Sequence, residues 1–399
     1  MNVGKSSQIN LKLVNNTNLP QPINLMGITT PQGFANNSNG LYQYDLSAES
    51  FSNLLSVSIL IATSPNPTFN TYTATIQSNN ISGVVDALNG LNKGIFSYSG
   101  NIVYVSGSDY TYGNFVVNSS GSSSIILGTT GGNPYGITID PSGNIYTANN
   151  GGNNVSKITP LGVSTILASG ISAPTGITID ASGNIYTANT SNNVSKITPL
   201  GVSTILGTTG ALPVGITIDS SGNIYTANNG ANNVSKITPL GVSTILGTTG
   251  SGAFGITIDS SGNIYTANGG SNNVSKITPL GVSTILGTTG TQPSGITIDS
   301  FGNIYTANRI SNNVSKITPL GVSTILGTTG NAPFGITIDS LGNIYTANTG
   351  ADNVSKITPL GVSTILGTTG TAPFGITIDS SGNIYTANFN SDNVSKITP

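Results

Sequence analysis

Residues 215–250 read GITIDSSGNIYTANNGANNVSKITPLGVSTILGTTG, and this stretch decides the fold. Its four runs GITID, NIYTAN, NVSKIT and VSTIL are rich in Ile, Val, Thr and Tyr and are bounded by Gly, Asn, Ser or Pro. Short β-branched and aromatic runs between such residues read as strands. In the Asp-Ser-Ser-Gly-Asn link the Asp caps a hairpin turn and the Gly supplies positive φ. Thr-Pro-Leu-Gly makes the next turn, with Pro presetting φ. Four antiparallel strands in about 40 residues amount to one blade of a β-propeller.

The unit recurs. GITID starts at Gly136, Gly176, Gly215, Gly255, Gly295, Gly335 and Gly375, at spacings of 40, 39, 40, 40, 40 and 40. The last copy stops at Pro399 after its third strand and lacks VSTIL, while an orphan run of that kind, Ser123–Gly131, precedes the first copy. Six whole blades, three strands and one borrowed strand make seven, and the borrowed strand pairs an edge that is otherwise open. The expected fold is therefore mainly β: a closed seven-bladed propeller, preceded by a small β-rich domain with one helix. An open stack of sheets is the alternative that the interlocking ends oppose. Burial of Ile125, Ile126 and Leu127 in the closing strand is expected to stabilise it by about 1.5–3 kcal/mol per side chain.

The repeat Pro-x-Gly-Ile-Thr-Ile-Asp-x-x-Gly-Asn-Ile-Tyr-Thr-Ala-Asn, followed by Asn-Asn-Val-Ser-Lys-Ile-Thr-Pro-Leu-Gly, resembles the NHL repeat over residues 123–399. The resemblance implies a propeller. Similar propellers include protein- and RNA-binding modules as well as metal-dependent lactonases and lyases. Where the NHL motif usually has Asp, these blades have Asn149, Asn189, Asn228, Asn268, Asn308, Asn348 and Asn388. The histidines of the lyases have no counterpart, because the chain contains no His.

Residues 1–120 differ in pattern. Strand-like runs fall at Gln8–Val14, Leu41–Asp45, Leu54–Ala62 and Thr68–Ile76. A helix is expected from the N-cap Ser82 to Gly94, with Val84, Val85, Leu88 and Leu91 on one face. Residues 95–105 read as a hairpin about Ser99-Gly-Asn, 113–118 as a last strand and 119–124 as a short linker. Residues 94–128 also faintly echo a blade, but seven blades already close the ring. The domains expected are thus 1–120, for attachment or assembly, and 121–399, the propeller.

Composition excludes several chemistries. With no His and no Cys there is no Ser-His-Asp or Cys-His catalysis, no His/Cys zinc site and no disulfide. Charged residues make up 6% of the chain, against roughly 25% in an ordinary soluble domain. The net charge of −2 gives no basic footprint for nucleic acid. The start has no apolar stretch of signal-peptide kind, and no run approaches the ~18 apolar residues that cross a membrane.

Differences between the copies carry the functional signal. They concentrate between Tyr-Thr-Ala-Asn and Asn-Val-Ser, and between Gly-Thr-Thr-Gly and Gly-Ile-Thr-Ile-Asp. In an antiparallel blade both loops emerge on one face, and binding commonly resides in loops on a rigid scaffold. The candidate binding residues there are Tyr135, Val214, Phe254, Phe334 and Phe374, with Arg309, Ile310 and Phe389 in the other loop set. Aromatics at a channel mouth stack on sugar rings or anchor a protein, or else they fill gaps between blades. Asp352 and Asp392 hold equivalent positions in adjacent blades; a shared Ca²⁺, a carboxylate pair and solvated replacements of Asn are all open. The ring of Asp140, Asp180, Asp219, Asp259, Asp299, Asp339 and Asp379 reads as turn caps. Lysines from Lys157 to Lys396 balance it, and the repeated Asn-Val-Ser sequon reads as coincidence within a strand.

The expectation that follows is a non-enzymatic display protein of a virion, of phage-fibre or decoration type. Residues 1–120 attach it to other virion or surface proteins, and the rim touches a host glycan or protein receptor. Neither catalytic residue, metal nor cofactor is expected, and no nucleic-acid partner or membrane insertion; homo-oligomerisation is open. The expected location is the virion or the cell exterior. A bacterial extracellular adhesin or scaffold is the alternative, and a lactonase- or lyase-like enzyme a third reading.

Overall fold

The computed structural model describes residues 123–398, with side chains from 124, and the backbone of eight strands within residues 8–119. The chain divides into two compact units, Met1–Gly121 and Ser122–Pro399. In the first unit β1 (Gln8–Val14), β2 (Phe34–Asn36), β3 (Leu41–Ser47), β4 (Leu54–Thr63), β5 (Thr68–Gln77), β6 (Ile95–Ser99), β7 (Ile102–Ser106) and β8 (Thr111–Ser119) form one sheet. Its order is β2-β3-β1-β5-β4-β8-β7-β6. The expected hairpin over 95–105 is present as β6–β7, paired from Ile95↔Ser106 to Ser99↔Ile102. Strands β6–β8 belong to this sheet and so do not form an eighth blade. The helix expected from Ser82 lies outside the described residues.

The second unit is a closed seven-bladed propeller of four-stranded antiparallel sheets. Blade 1 runs β10 (Pro134–Ile139), β11 (Ile145–Asn149), β12 (Asn154–Ile158) and β13 (Ser164–Ser169) from the axis outward. Blades 2–6 repeat the pattern with β14–β33 over 174–368. Blade 7 combines β34 (Pro373–Ile378), β35 (Ile384–Asn388) and β36 (Asn393–Thr398) with β9 (Ser123–Thr129) as its outer strand. The register of β9 on β36, from Asn393↔Thr129 to Thr398↔Ser123, carries the same irregularity at Val394/Ser395 that the other blades show at Val155/Ser156 and its equivalents.

The core lies between blades. Tyr146, Ala148 and Val155 of blade 1 pack on Ile177, Ile185 and Ile197 of blade 2, and Tyr385 and Val394 of blade 7 pack on Ile145 and Ile158 of blade 1. Second strands are buried along their whole length because sheet covers both of their faces and both of their edges. Inner strands approach so closely that glycine is required. A Cβ on Gly136 would lie 2.5 Å from the Thr175 carbonyl, and one on Gly375 would lie 2.8 Å from that of Tyr135, so the last blade meets the first as neighbours elsewhere meet.

One energetic expectation is corrected. Ile125 and Ile126 are 54% and 53% exposed. The outer strand is the last layer of its sheet, so of the three apolar residues only Leu127 reaches the cluster formed by Ile145, Ile158, Tyr385 and Val394. The apolar part of the contribution of β9 to closure therefore comes from one side chain, not from three.

Candidate functional site

On the constant face each first-to-second-strand turn is a closed hydrogen-bonded unit. Asp140 Oδ1 accepts from the Ser142 and Asn144 backbone N–H groups at 2.9 and 2.8 Å, and Oδ2 accepts from Asn144 Nδ2 and the Tyr146 hydroxyl at 2.8 and 3.0 Å. Gly143 takes φ +81°, which a side chain would strain. Burial opposes the charge on Asp140, yet the hydrogen bonds from Asn144, Tyr146 and Ser142 outweigh it and hold the carboxyl below its ordinary 3.8. Lys157 Nζ sits 5.7 Å from the Tyr146 ring centroid, and the other six blades repeat the pair at 5.7–5.8 Å. These rings of Asp and Lys are turn architecture.

Beneath the variable face lies a second sevenfold network. Asn149 is fully buried; its Nδ2 donates to Asn154 Oδ1 and Ser156 Oγ at 2.6 and 2.8 Å, and its Oδ1 accepts from the Thr147 hydroxyl at 2.9 Å. The position has to donate twice. That accounts for Asn where the NHL pattern has Asp: a carboxylate would face the Asn154 oxygen with no proton to offer. Asn154, the sequon residue, is spent on this network and on the Gly152 carbonyl.

Asp352 and Asp392 belong to a third sevenfold feature, a latch between blades. Asp352 Oδ1 accepts from the Ala372 backbone N–H at 2.7 Å and Asp392 Oδ1 from that of Asn133 at 2.6 Å. Asn153, Asn192, Asn232, Asn272 and Asn312 make the same bond to the next blade at 2.8–2.9 Å. All seven latch residues have φ between 49° and 65°, the left-handed region that Asn and Asp tolerate best. Each carboxylate thus serves its own blade junction. Among the described residues no group of three or more acidic, His or Cys side chains gathers that could hold a metal ion.

The remaining candidates converge at the axis. Tyr135, Val214, Phe254, Phe334 and Phe374 occupy the second position of the inner strands, and the residues there line a central cavity of about 180 Å³. The aromatics meet one another. Ring centroids of Phe334 and Phe374 are 4.7 Å apart, Tyr135 lies 4.9 Å from Phe374 and 5.5 Å from Phe334, and Phe254 lies 6.2 Å from Phe334. Phe389, from the loop after β35, adds a ring 4.9 Å from Phe374. The Arg309 guanidinium lies 6.0 Å from the Phe334 centroid, and Ile310 beside it is 61% exposed.

The sequence reading missed Thr175 and Ser294, which hold the same inner-strand position in blades 2 and 5. Both hydroxyls are held by backbone carbonyls: Thr175 Oγ1 lies 3.0 Å from the Ala188 and Pro213 oxygens and its one proton is shared between them, and Ser294 Oγ donates to the Phe334 oxygen at 2.9 Å. Their signal in the sequence is the residue just before GITID in each repeat, where a small polar side chain is as informative as an aromatic one. The mouth is consequently lopsided: bulky rings on blades 4, 6, 7 and 1, and small side chains on blades 2, 3 and 5.

Comparison with known proteins agrees with this architecture. The profile of the virginiamycin B lyase family matches residues 116–284, and that of a β-propeller repeat matches residues 283–312. The fold is similar to that of virginiamycin B lyase from Staphylococcus aureus, with 22% identity, a TM-score of 0.60, and coverage of 70% of this chain and 99% of that one. A catalytically inactive histidine-to-alanine variant of that lyase with quinupristin superposes with a TM-score of 0.61 at 22% identity, over 70% of this chain and 99% of that one. A streptogramin B lyase gives 0.61 at 19% identity, over 69% and 97%. No curated protein matches the sequence.

The expectation of a non-enzymatic protein is corrected by these matches, since the profile covering much of the propeller is that of an enzyme family. The physical reason is that the exclusion was drawn too widely. A lack of His and Cys removes imidazole and thiolate chemistry, whereas Tyr, Asp, Lys and Arg can also move or stabilise protons and charge.

Proposed function

We propose that the propeller takes a ring-bearing, largely apolar small molecule into the central mouth of its variable face, and that in a lyase-like reaction on that molecule the Tyr135 hydroxyl donates a hydrogen bond to an oxygen on which negative charge develops. The observation that carries the reading is the lopsided mouth. Four aromatic rings in contact form a wall on blades 4, 6, 7 and 1, with Ser294 of blade 5 a gap within it, and Thr175 and Val214 on blades 2 and 3 leave room on the other side. Flat rings gain stacking energy of about 0.5–1.5 kcal/mol per aromatic pair beyond the area they bury. Of the side chains lining the cavity, Tyr135 alone is titratable. No described residue takes up its hydroxyl, in contrast to the blade tyrosines bound to Asp. Burial pushes its phenol well above the ordinary value, so it stays protonated at neutral pH and acts as a donor rather than a base.

The test is a calorimetric titration of the full chain with quinupristin, the compound held by a structure similar to this one, alongside chromatography for its conversion. Blade 5 supplies a fold-compatible control, because it already has Ser294 where blade 7 has Phe374. Phe374→Ser is expected to weaken binding at least ~10-fold, and Tyr135→Phe to abolish conversion while leaving binding within about twofold. Equal affinity for Phe374→Ser and wild type overturns the site. Sugar rings also stack on aromatic faces, so methyl glycosides belong in the same titration; their tighter binding would return the ligand to the glycan class.

A further inference from the structure

We infer that the molecule accepted at this mouth carries an anionic group, seated at Arg309 on the rim of the aromatic wall. The inference rests on the ligand site proposed above and adds the charge of its occupant.

Arg309 is the only arginine in the chain, and among the described residues it is the only cation in the loops of the variable face. The other propeller cations, Lys157 and its six equivalents, lie in third strands over their own tyrosine rings. Arg309 occupies the loop position filled by Asn150, Thr190, Asn229, Gly269, Thr349 and Phe389 in the other blades, so blade architecture does not require a charge there. The Arg309 backbone N–H donates to the Gln292 carbonyl at 2.9 Å, which any residue type can do. No described carboxylate pairs with the guanidinium; Asp352 and Asp392, the other charges of these loops, are turned to their latches.

The setting suits a carboxylate, sulfonate or phosphate. The guanidinium lies 6.0 Å from the Phe334 ring centroid, and no described carboxylate competes for the two-point contact that its N–H fork makes with such groups. The Tyr135 ring lies 5.5 Å from the same Phe334 ring, so a second hydrogen-bond donor belongs to the wall that takes the ring system. Among the described residues no other point of the variable face combines a free cation with contiguous aromatic surface. Charge complementarity therefore selects a ring-bearing organic anion over its neutral counterpart.

The test compares 2-naphthoate with 2-naphthamide, which share the ring system and differ in charge, by calorimetry on the full chain at low and high salt. Three proteins are needed: wild type, Arg309→Thr (blade 6 has Thr349 at this position) and Arg309→Lys. The naphthoate is expected to bind wild type at least ~10-fold more tightly than the amide, with a preference that shrinks as salt rises. Arg309→Thr should lose the preference and keep its affinity for the amide, and Arg309→Lys should retain part of the preference. Equal affinity of wild type for both probes overturns the anion inference while the aromatic mouth stands. A preference that survives in Arg309→Thr overturns it too, by placing the anion elsewhere. If neither probe binds wild type, the mouth itself is not a ring-binding site and both readings fall.

Discussion

Asp392 Oδ1 accepts a hydrogen bond of 2.6 Å from the backbone N–H of Asn133, although 259 residues separate the two in sequence. The same bond joins every consecutive pair of blades, so this one states that the last blade and the first are ordinary neighbours. It also turns an apparent acidic pair, Asp352 and Asp392, into two members of a sevenfold latch that is otherwise made of Asn.

Substitution at Asp392 separates the components of the latch. Asp392→Asn keeps both the acceptor and the left-handed preference and is expected to stay within about 0.5 kcal/mol of wild type. Asp392→Gly keeps the backbone freedom and loses the acceptor, costing about 1 kcal/mol. Asp392→Ala loses both, and about 2 kcal/mol is expected. Urea denaturation of the three variants checks the order.

The buried amide at Asn228 is expected to be intolerant of Asp. Asn228 Nδ2 donates to Asn233 Oδ1 at 2.7 Å and to Ser235 Oγ at 2.8 Å. A carboxylate there would be desolvated and would face the Asn233 oxygen without a donor. A loss of about 2–4 kcal/mol is expected by thermal or chemical unfolding. Equal stability of Asn228→Asp would show that the network reorients freely.

The acid limb of stability should report the turn caps. Asp140, Asp180, Asp219, Asp259, Asp299 and Asp379 are held below their ordinary 3.8. Carboxyls depressed on folding contribute stability that is complete above the unfolded value and is lost as pH falls through the folded one. Unfolding free energy attributable to these groups should therefore be level above about pH 5 and decline below pH 4. Replacing Asp219 by Asn, which keeps an acceptor but no charge, should flatten the decline in proportion to one site.

The closing strand offers a contrast within three residues. Leu127 packs into the cluster between blades 7 and 1, whereas Ile125 is 54% exposed. Leu127→Ala is expected to cost about 2–4 kcal/mol and Ile125→Thr less than about 0.5 kcal/mol. Comparable losses at both positions would mean that β9 is covered by something on its outer face.

How much of this was readable beforehand follows from what repeats do. Blade number, closure by the strand at 123–129 and the common face of the variable loops all came from period and turn chemistry, which act locally and recur seven times. That Asp140 caps its turn was legible for the same reason. The latch was not, because its partners, such as Asn153 and Ala173, are joined by a left-handed geometry that no single repeat displays. Nor was the meeting of Tyr135, Phe334 and Phe374: the sequence places each at the mouth, but only the radius of the closed ring brings their centroids within 4.7–5.5 Å. The exposure of Ile125 and Ile126 is not legible in the sequence, because a strand-like apolar pattern does not say whether its sheet has another layer beyond it.

The central claim, a ring-binding mouth on the variable face, is tested most directly by a crystal structure of the full chain grown with 2-naphthoate. The account predicts the naphthyl ring against Phe334 and Phe374, its far edge toward Val214 and its carboxylate at Arg309. A ring bound on the outer strands or the constant face, with the aromatic cluster unchanged and its mouth unoccupied, would contradict it.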